Sequence, residues 1–169
     1  MLIEADLSMV LSDKEISSAM KRGELRIFPP GFRLNPAGVD LRVDRRIRLK
    51  PKQHSLVASI ERVELSGRIV GFLHLRSSLA REGLFASLAL VDPGFRGQLT
   101  VSLYNSGDSA VNLAKGERFI QLSLLRLGKP AIKKYAGRYQ NSSGVVASRR
   151  RKRSHTPKIM ESVIQGTSG

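Results

Sequence analysis

From Arg26 onward the chain is cut into short apolar or alternating runs closed by Pro and Gly, and this rhythm restricts its fold more than any other feature. Leu41-Arg42-Val43, Arg46-Ile47-Arg48-Leu49, Ser55-Leu56-Val57-Ala58 and Arg68-Ile69-Val70-Gly71 all read as strands. Many short strands beside a single helix argue against a βαβ arrangement. They predict a mainly β fold, a distorted antiparallel β-barrel of jelly-roll-like form, with one short N-terminal helix. That helix is placed over residues 12 to 22 by the capping box Ser12-Asp13-Lys14-Glu15, the apolar face of Ile16, Ala19 and Met20, and the stop at Gly23.

Two neighbouring stretches concentrate the chemistry. From Gly71 to Leu84 an alternating apolar run ends in Arg76, Ser77, Ser78 and Arg81, a cluster of donors with Glu82 as its only acid, which suits a polyanion. From Leu90 to Ser102 a β-type run stops at Asp92 and resumes at Gln98. The bridge Pro93-Gly94-Phe95-Arg96-Gly97 carries the residues of tight turns, so a hairpin with a carboxylate at its lip is expected. Donors for phosphate in one element and a base at the rim of another are the division of labour needed to aim water at a phosphate ester. Taken singly, Arg76 and Arg81 read equally well as solvated charges, and Asp92 as a turn-former before Pro93.

In order and spacing, Arg76-Ser77-Ser78-Leu79-Ala80-Arg81 followed by Val91-Asp92-Pro93-Gly94-Phe95-Arg96-Gly97 resembles the active-site core of the dUTPase and dCTP deaminase superfamily. The resemblance runs from about Met9 to Arg149. Met9-Val10-Leu11-Ser12-Asp13 is similar to the beginning of the deaminase branch, and Pro36-Ala37-Gly38-Val39-Asp40-Leu41 to the first dUTPase motif, though that segment is equally a loop Gly before a strand. Gly116-Glu117-Arg118 with Gln121 resembles the superfamily's Gly-Glu-Arg-x-x-Gln strand, although Lys115-Gly116 alone reads as a hairpin corner. The stretch from Tyr135 to Arg149 resembles the arm that closes over the triphosphate in relatives.

The resemblance implies a dUTPase-like barrel and a role for each matching position. Asp92 would be the catalytic base. Arg76, Ser77, Ser78, Arg81, Gln121, Tyr135 and Arg138 would contact the phosphates, and Ala89, Val91, Phe95, Thr100 and Ser102 the nucleoside. Mg2+ would be held by the triphosphate and water, with Asp40 supporting its outer shell or orienting neighbouring motifs, and no metal ligand is expected from the protein itself. The assembly implied is a homotrimer with sites shared between subunits.

Two positions bear on which reaction is expected. Deaminases carry a proton-shuttling Glu where this chain has Ser102, and typical dUTPases place a uracil-reading Asn where it has Ala86. Serine cannot act as a carboxylate, so the expectation is a dUTP diphosphatase on the deaminase-like branch, reading its base through backbone groups from Ser87 to Val91. The alternatives are a dCTP deaminase, a bifunctional deaminase and diphosphatase, or a non-catalytic nucleotide or nucleic-acid binder.

Composition adds limits. The 169 residues include no Cys, which excludes disulfides and cysteine-based sites, and no apolar run approaches a membrane span, so a cytoplasmic protein is expected. The net charge of +15 is uneven: Arg149, Arg150, Arg151, Lys152, Arg153 and Lys158 stand against Glu161 alone in the last 21 residues. The expected organisation is an extension over 1–8, a β domain over 9–134, a mobile arm over 135–148 and a disordered basic tail over 149–169 capable of weak nucleic-acid contact.

Overall fold

The computed structural model describes residues 10–87 and 89–150. The expected N-terminal helix is present as α1 (Asp13–Lys21), and its cap is the one the sequence announces: Ser12 Oγ accepts from the Glu15 amide at 3.4 Å, and the Ser12 amide donates to the Glu15 carboxylate at 2.8 Å. Two donors that a helix start leaves orphaned are thereby satisfied. Ile16 and Ala19, one turn apart, are fully buried beneath it.

Eleven strands follow among the described residues: β1 (Leu25–Phe28), β2 (Arg33–Asn35), β3 (Gly38–Arg42), β4 (Ile47–Leu49), β5 (His54–Leu65), β6 (Ile69–Leu75), β7 (Leu84–Ala86), β8 (Leu90–Val91), β9 (Arg96–Asn105), β10 (Val111–Leu113) and β11 (Arg118–Arg126). They pair antiparallel in a four-stranded sheet β1-β5-β9-β7, a five-stranded sheet β2-β3-β11-β6-β8 and the pair β10-β4. Along β9 every second residue is buried, Gly97, Leu99, Val101, Leu103 and Asn105, so one face enters the core and the other stays partly exposed. The inward residues of both large sheets join one apolar cluster. Glu24, just before β1, clasps Arg126 at the end of β11 at 3.0 Å. That hydrogen bond holds its carboxyl below the usual carboxylate range, with desolvation working against it.

The mainly β, antiparallel expectation holds, with three corrections of detail. The sheets do not close into a true barrel. A second short helix, α2 (Ser77–Arg81), follows β6: its residues include no β-branched side chain, and the Leu79 and Ala80 amides turn back onto Arg76 O at 3.0 and 3.1 Å. Nor do the strands around Asp92 form a hairpin. β8 pairs with β6 in the five-stranded sheet, whereas β9, which resumes at Arg96, pairs with β5 and β7 in the other. The turn itself is real, with the Phe95 amide on Asp92 O at 3.0 Å and Gly94 at φ +87°, but it carries the chain between sheets.

A bulge interrupts β5, where Ser59, Ile60 and Glu61 stand opposite Leu99 alone, between the pairs Ala58↔Thr100 and Arg62↔Gln98. Ser59 Oγ closes it by donating to Glu61 O at 2.7 Å and accepting from the Leu99 amide at 3.0 Å. The fully buried Glu61 carboxylate accepts from the Arg42 amide at 2.8 Å and from Arg42 Nε at 2.6 Å. No helix among the described residues is long and apolar enough to cross a membrane.

Candidate active site

A pocket of about 480 Å³ lies between the two large sheets. Strand pairing builds one wall: the register Leu56↔Ser102 and Ala58↔Thr100 puts His54 and Leu56 of β5 on the same face as Gln98, Thr100 and Ser102 of β9. Leu73 of β6, Ala89, and Leu90 and Val91 of β8 form the other wall. Phe95 lies at the base, edge-on to Tyr135 with ring centroids 5.6 Å apart.

The arm closes the third side. The Asn141 amide donates to Arg96 O at 2.7 Å, the Gln98 amide to Ser142 O at 2.9 Å, and Gln140 Nε2 to Gly94 O at 2.9 Å. Gln98 also works through its side chain. Its Nε2 donates to Ser59 O and Ile60 O in the β5 bulge, at 2.9 and 3.0 Å, while its Oε1 accepts from the Gly144 amide at 2.6 Å. Thr100 Oγ1 accepts from the Val146 amide at 3.1 Å, so both side chains are committed to holding the arm. Arg149, assigned to the tail by sequence, bonds the Tyr139 hydroxyl through its amide at 3.0 Å and stacks its guanidinium 6.0 Å from that ring. The segment read as an extension, 1–8, and the part of the tail from 151 onward lie outside the described residues.

Asp92 stands at the rim, immediately after β8, half-buried. Among the described residues its carboxylate has no hydrogen-bond or ion-pair partner. A carboxylate so placed is free to orient a water and take its proton. At the inner wall, Ser102 Oγ and His54 Nε2 lie 2.7 Å apart. The Ser87 amide donates to Ser102 O at 2.9 Å and the Ser102 amide to Ser87 Oγ at 3.2 Å, while Ala89 O accepts from the Leu73 amide at 3.2 Å. Two of the backbone groups expected to read the base are therefore already bonded within the protein.

Of the residues expected from sequence, the pocket gathers Asp92, Ala89, Val91, Phe95, Thr100, Ser102 and Tyr135. It does not gather Arg76, Ser77, Ser78, Arg81, Gln121 or Arg138. Arg76 caps α2, donating to Arg118 O at 3.2 Å with its Nε 3.6 Å from Asp40. The buried Asp40 accepts from Asn35 Nδ2 at 2.7 Å and pairs with Gln121 across β3 and β11. A Cβ on Gly38 would meet Gln121 Nε2 and Leu122 O at 2.8 Å each, so the small residue in this motif answers to close packing. Arg138, at the outer end of the arm, donates to Arg149 O at 2.7 Å. One chain thus carries a pocket with a carboxylate and, apart from it, a donor cluster around Arg76 at the end of β6.

Sequence reasoning missed His54 and Gln98. Alternation alone places His54 on the face of Leu56, but its partner lies 48 residues away, and only the register of β5 against β9 brings the two together.

A family model described as dCTP deaminase-like matches residues 44–127. A dCTP deaminase of Thermococcus gammatolerans is 42% identical over 135 residues, covering 71% of this chain and 86% of that protein. A "dCTP deaminase, dUMP-forming" of Aquifex aeolicus is 33% identical over 170 residues, covering 83% and 94%. Among solved structures, the native EIAV dUTPase superposes with a TM-score of 0.56 at 22% identity, over 68% of this chain and 98% of that one, a likeness of fold.

Proposed function

The chain belongs to the dCTP deaminase-like family of the dUTPase and dCTP deaminase superfamily, and we propose that its reaction within that family is hydrolysis of dUTP to dUMP and pyrophosphate. The observation that carries this reading is the contrast between two positions of one pocket. Asp92 offers an unengaged carboxylate at the rim, and the position matching the deaminase Glu holds the hydroxyl of Ser102, bonded to His54.

In the reaction proposed, a water attacks the α-phosphorus in line with the bond to the β-phosphate. Asp92 accepts the proton, the phosphorus–oxygen bond breaks and pyrophosphate leaves. Phe95 would lie against the deoxyribose, with the Tyr135 ring edge-on to it. Mg2+ bound to the triphosphate would offset charge on the leaving group. The donor chemistry fits such an ion through Asp92, free to hold its water, whereas Asp40, with Asn35 on one oxygen and Arg76 near the other, is suited to orienting Arg76.

A second reading has its own support: the imidazole of His54 can move protons, and the curated relatives are named dCTP deaminases. One assay separates the two. Pyrophosphate and ammonia release are followed together for dUTP and dCTP. Pyrophosphate from dUTP without ammonia from dCTP is expected, and ammonia from dCTP would give the site to deamination.

Because Arg76, Ser77, Ser78 and Arg81 lie outside the pocket that holds Asp92, a complete site requires the donor cluster of another copy. Exposed apolar residues on paired strands, Phe72 beside Leu90 and Phe85 beside Tyr104, offer surface for such contact. A homotrimer is expected in sedimentation equilibrium. An active monomer would remove the shared site.

A further inference from the structure

The polar groups of the pocket differ in how firmly their hydrogen-bond direction is fixed. Gln98 and Thr100 are held by the arm's backbone, the Ser87 amide by Ser102 O, and Ala89 O by the Leu73 amide. Leu56, Leu73 and Val91 carry no polar side-chain atoms. On the wall built by β5 and β9, the polar side chains not bonded to the arm are Ser102 Oγ and His54 Nε2, 2.7 Å apart.

That pair has no fixed direction. A serine hydroxyl has one donor and two lone pairs, and a neutral imidazole donates from one nitrogen and accepts at the other. His54 is exposed, and among the described residues its Nδ1 has no partner to select a tautomer. When Nε2 carries the hydrogen, it donates to Ser102 and the hydroxyl is free to donate onward, which suits the 4-carbonyl of uracil. When Nδ1 carries it, Nε2 accepts from Ser102, whose remaining lone pairs suit the 4-amino group of cytosine. Sites discriminate strongly when a wrong base leaves a committed polar group unpaired, and this pair can follow either base.

We propose that the same pocket hydrolyses dCTP as well as dUTP, giving dCMP and pyrophosphate, with Ser102 meeting the 4-position of either base and His54 acting as the positioning residue that sets its direction. The inference rests on the diphosphatase reading of Asp92. The balance is the same for both substrates: water adds to the α-phosphorus, its proton passes to Asp92, the bond to the β-phosphate breaks and pyrophosphate leaves. The amino group of cytosine is untouched, so no ammonia forms.

The test compares kcat/KM for dUTP and dCTP, by pyrophosphate release, in the wild type and in His54→Lys and His54→Glu. In the wild type the two values are expected within about tenfold, the worth of roughly one neutral hydrogen bond. Lysine can only donate to Ser102 and is expected to raise the dUTP to dCTP ratio roughly threefold to tenfold; an ionised glutamate can only accept and is expected to lower it by a similar factor. Any effect of the added charge on the triphosphate is common to both substrates and leaves the ratio unchanged. Hydrolysis of dUTP with dCTP more than a thousandfold poorer would overturn the inference and leave the diphosphatase reading standing, as would ratios that do not move in opposite directions. Absence of pyrophosphate from either nucleotide would overturn that reading itself.

Discussion

Asp92→Asn is expected to lower turnover of dUTP by about 10²- to 10⁴-fold, the usual contribution of a positioned general base, with nucleotide affinity close to that of the wild type. Asparagine keeps the size of the side chain, and the turn depends on a main-chain bond, Phe95 amide to Asp92 O at 3.0 Å, which the substitution leaves in place. The carboxylate has no partner among the described residues, so its removal strands no donor and should not disturb the fold. Single-turnover pyrophosphate release, read beside calorimetric binding of a non-hydrolysable dUTP analogue, separates the step from the binding. Turnover near normal would return Asp92 to the role of a turn residue.

The largest stability effect is expected at Glu61→Ala. Removing one partner of a buried ion pair typically costs about 3–5 kcal/mol, because the group left behind loses its compensation. Here the Arg42 side chain retains 22% exposure and a bond from its Nη2 to Pro30 O at 3.1 Å, so the lower end, about 3 kcal/mol, is expected in urea unfolding. The Arg42 amide loses its acceptor as well. The effect should reach the pocket, since Glu61 belongs to the bulge whose carbonyls at Ser59 and Ile60 hold Gln98, and Gln98 holds the arm. A variant as stable as the wild type would show that the pair contributes no net stability.

What sequence made legible was what depends on near neighbours. The cap at Ser12, the turn at Pro93-Gly94 and the β character after Arg26 follow from residues within a few positions of one another. Asp92 and the nucleoside set came with a motif, and the structure brings them to one pocket. The pairing of strands was less accessible. Nothing local says that β8 goes to β6 while β9 goes to β5, nor that Ser59, Ile60 and Glu61 bulge against Leu99, because those choices are settled by which apolar faces bury together. That Arg76 stands apart from the pocket within one chain was implied by the resemblance, through sites shared between subunits, and by no local pattern.

The passage of the chain between sheets at Asp92 has a consequence for rate. Asp92 departs from the edge of one layer, and Thr100 and Ser102 belong to the other, so in the proposed reaction the span from the attacking water to the base would be a thickness of the protein interior. Val91 of one sheet and Leu99 of the other, both nearly sealed from solvent, belong to the one apolar cluster that fills the space between the layers. If Asp92 aims the water as proposed, a change of volume at either position is expected to alter that aim, and the chemical step becomes a caliper reading of how closely the two layers lie.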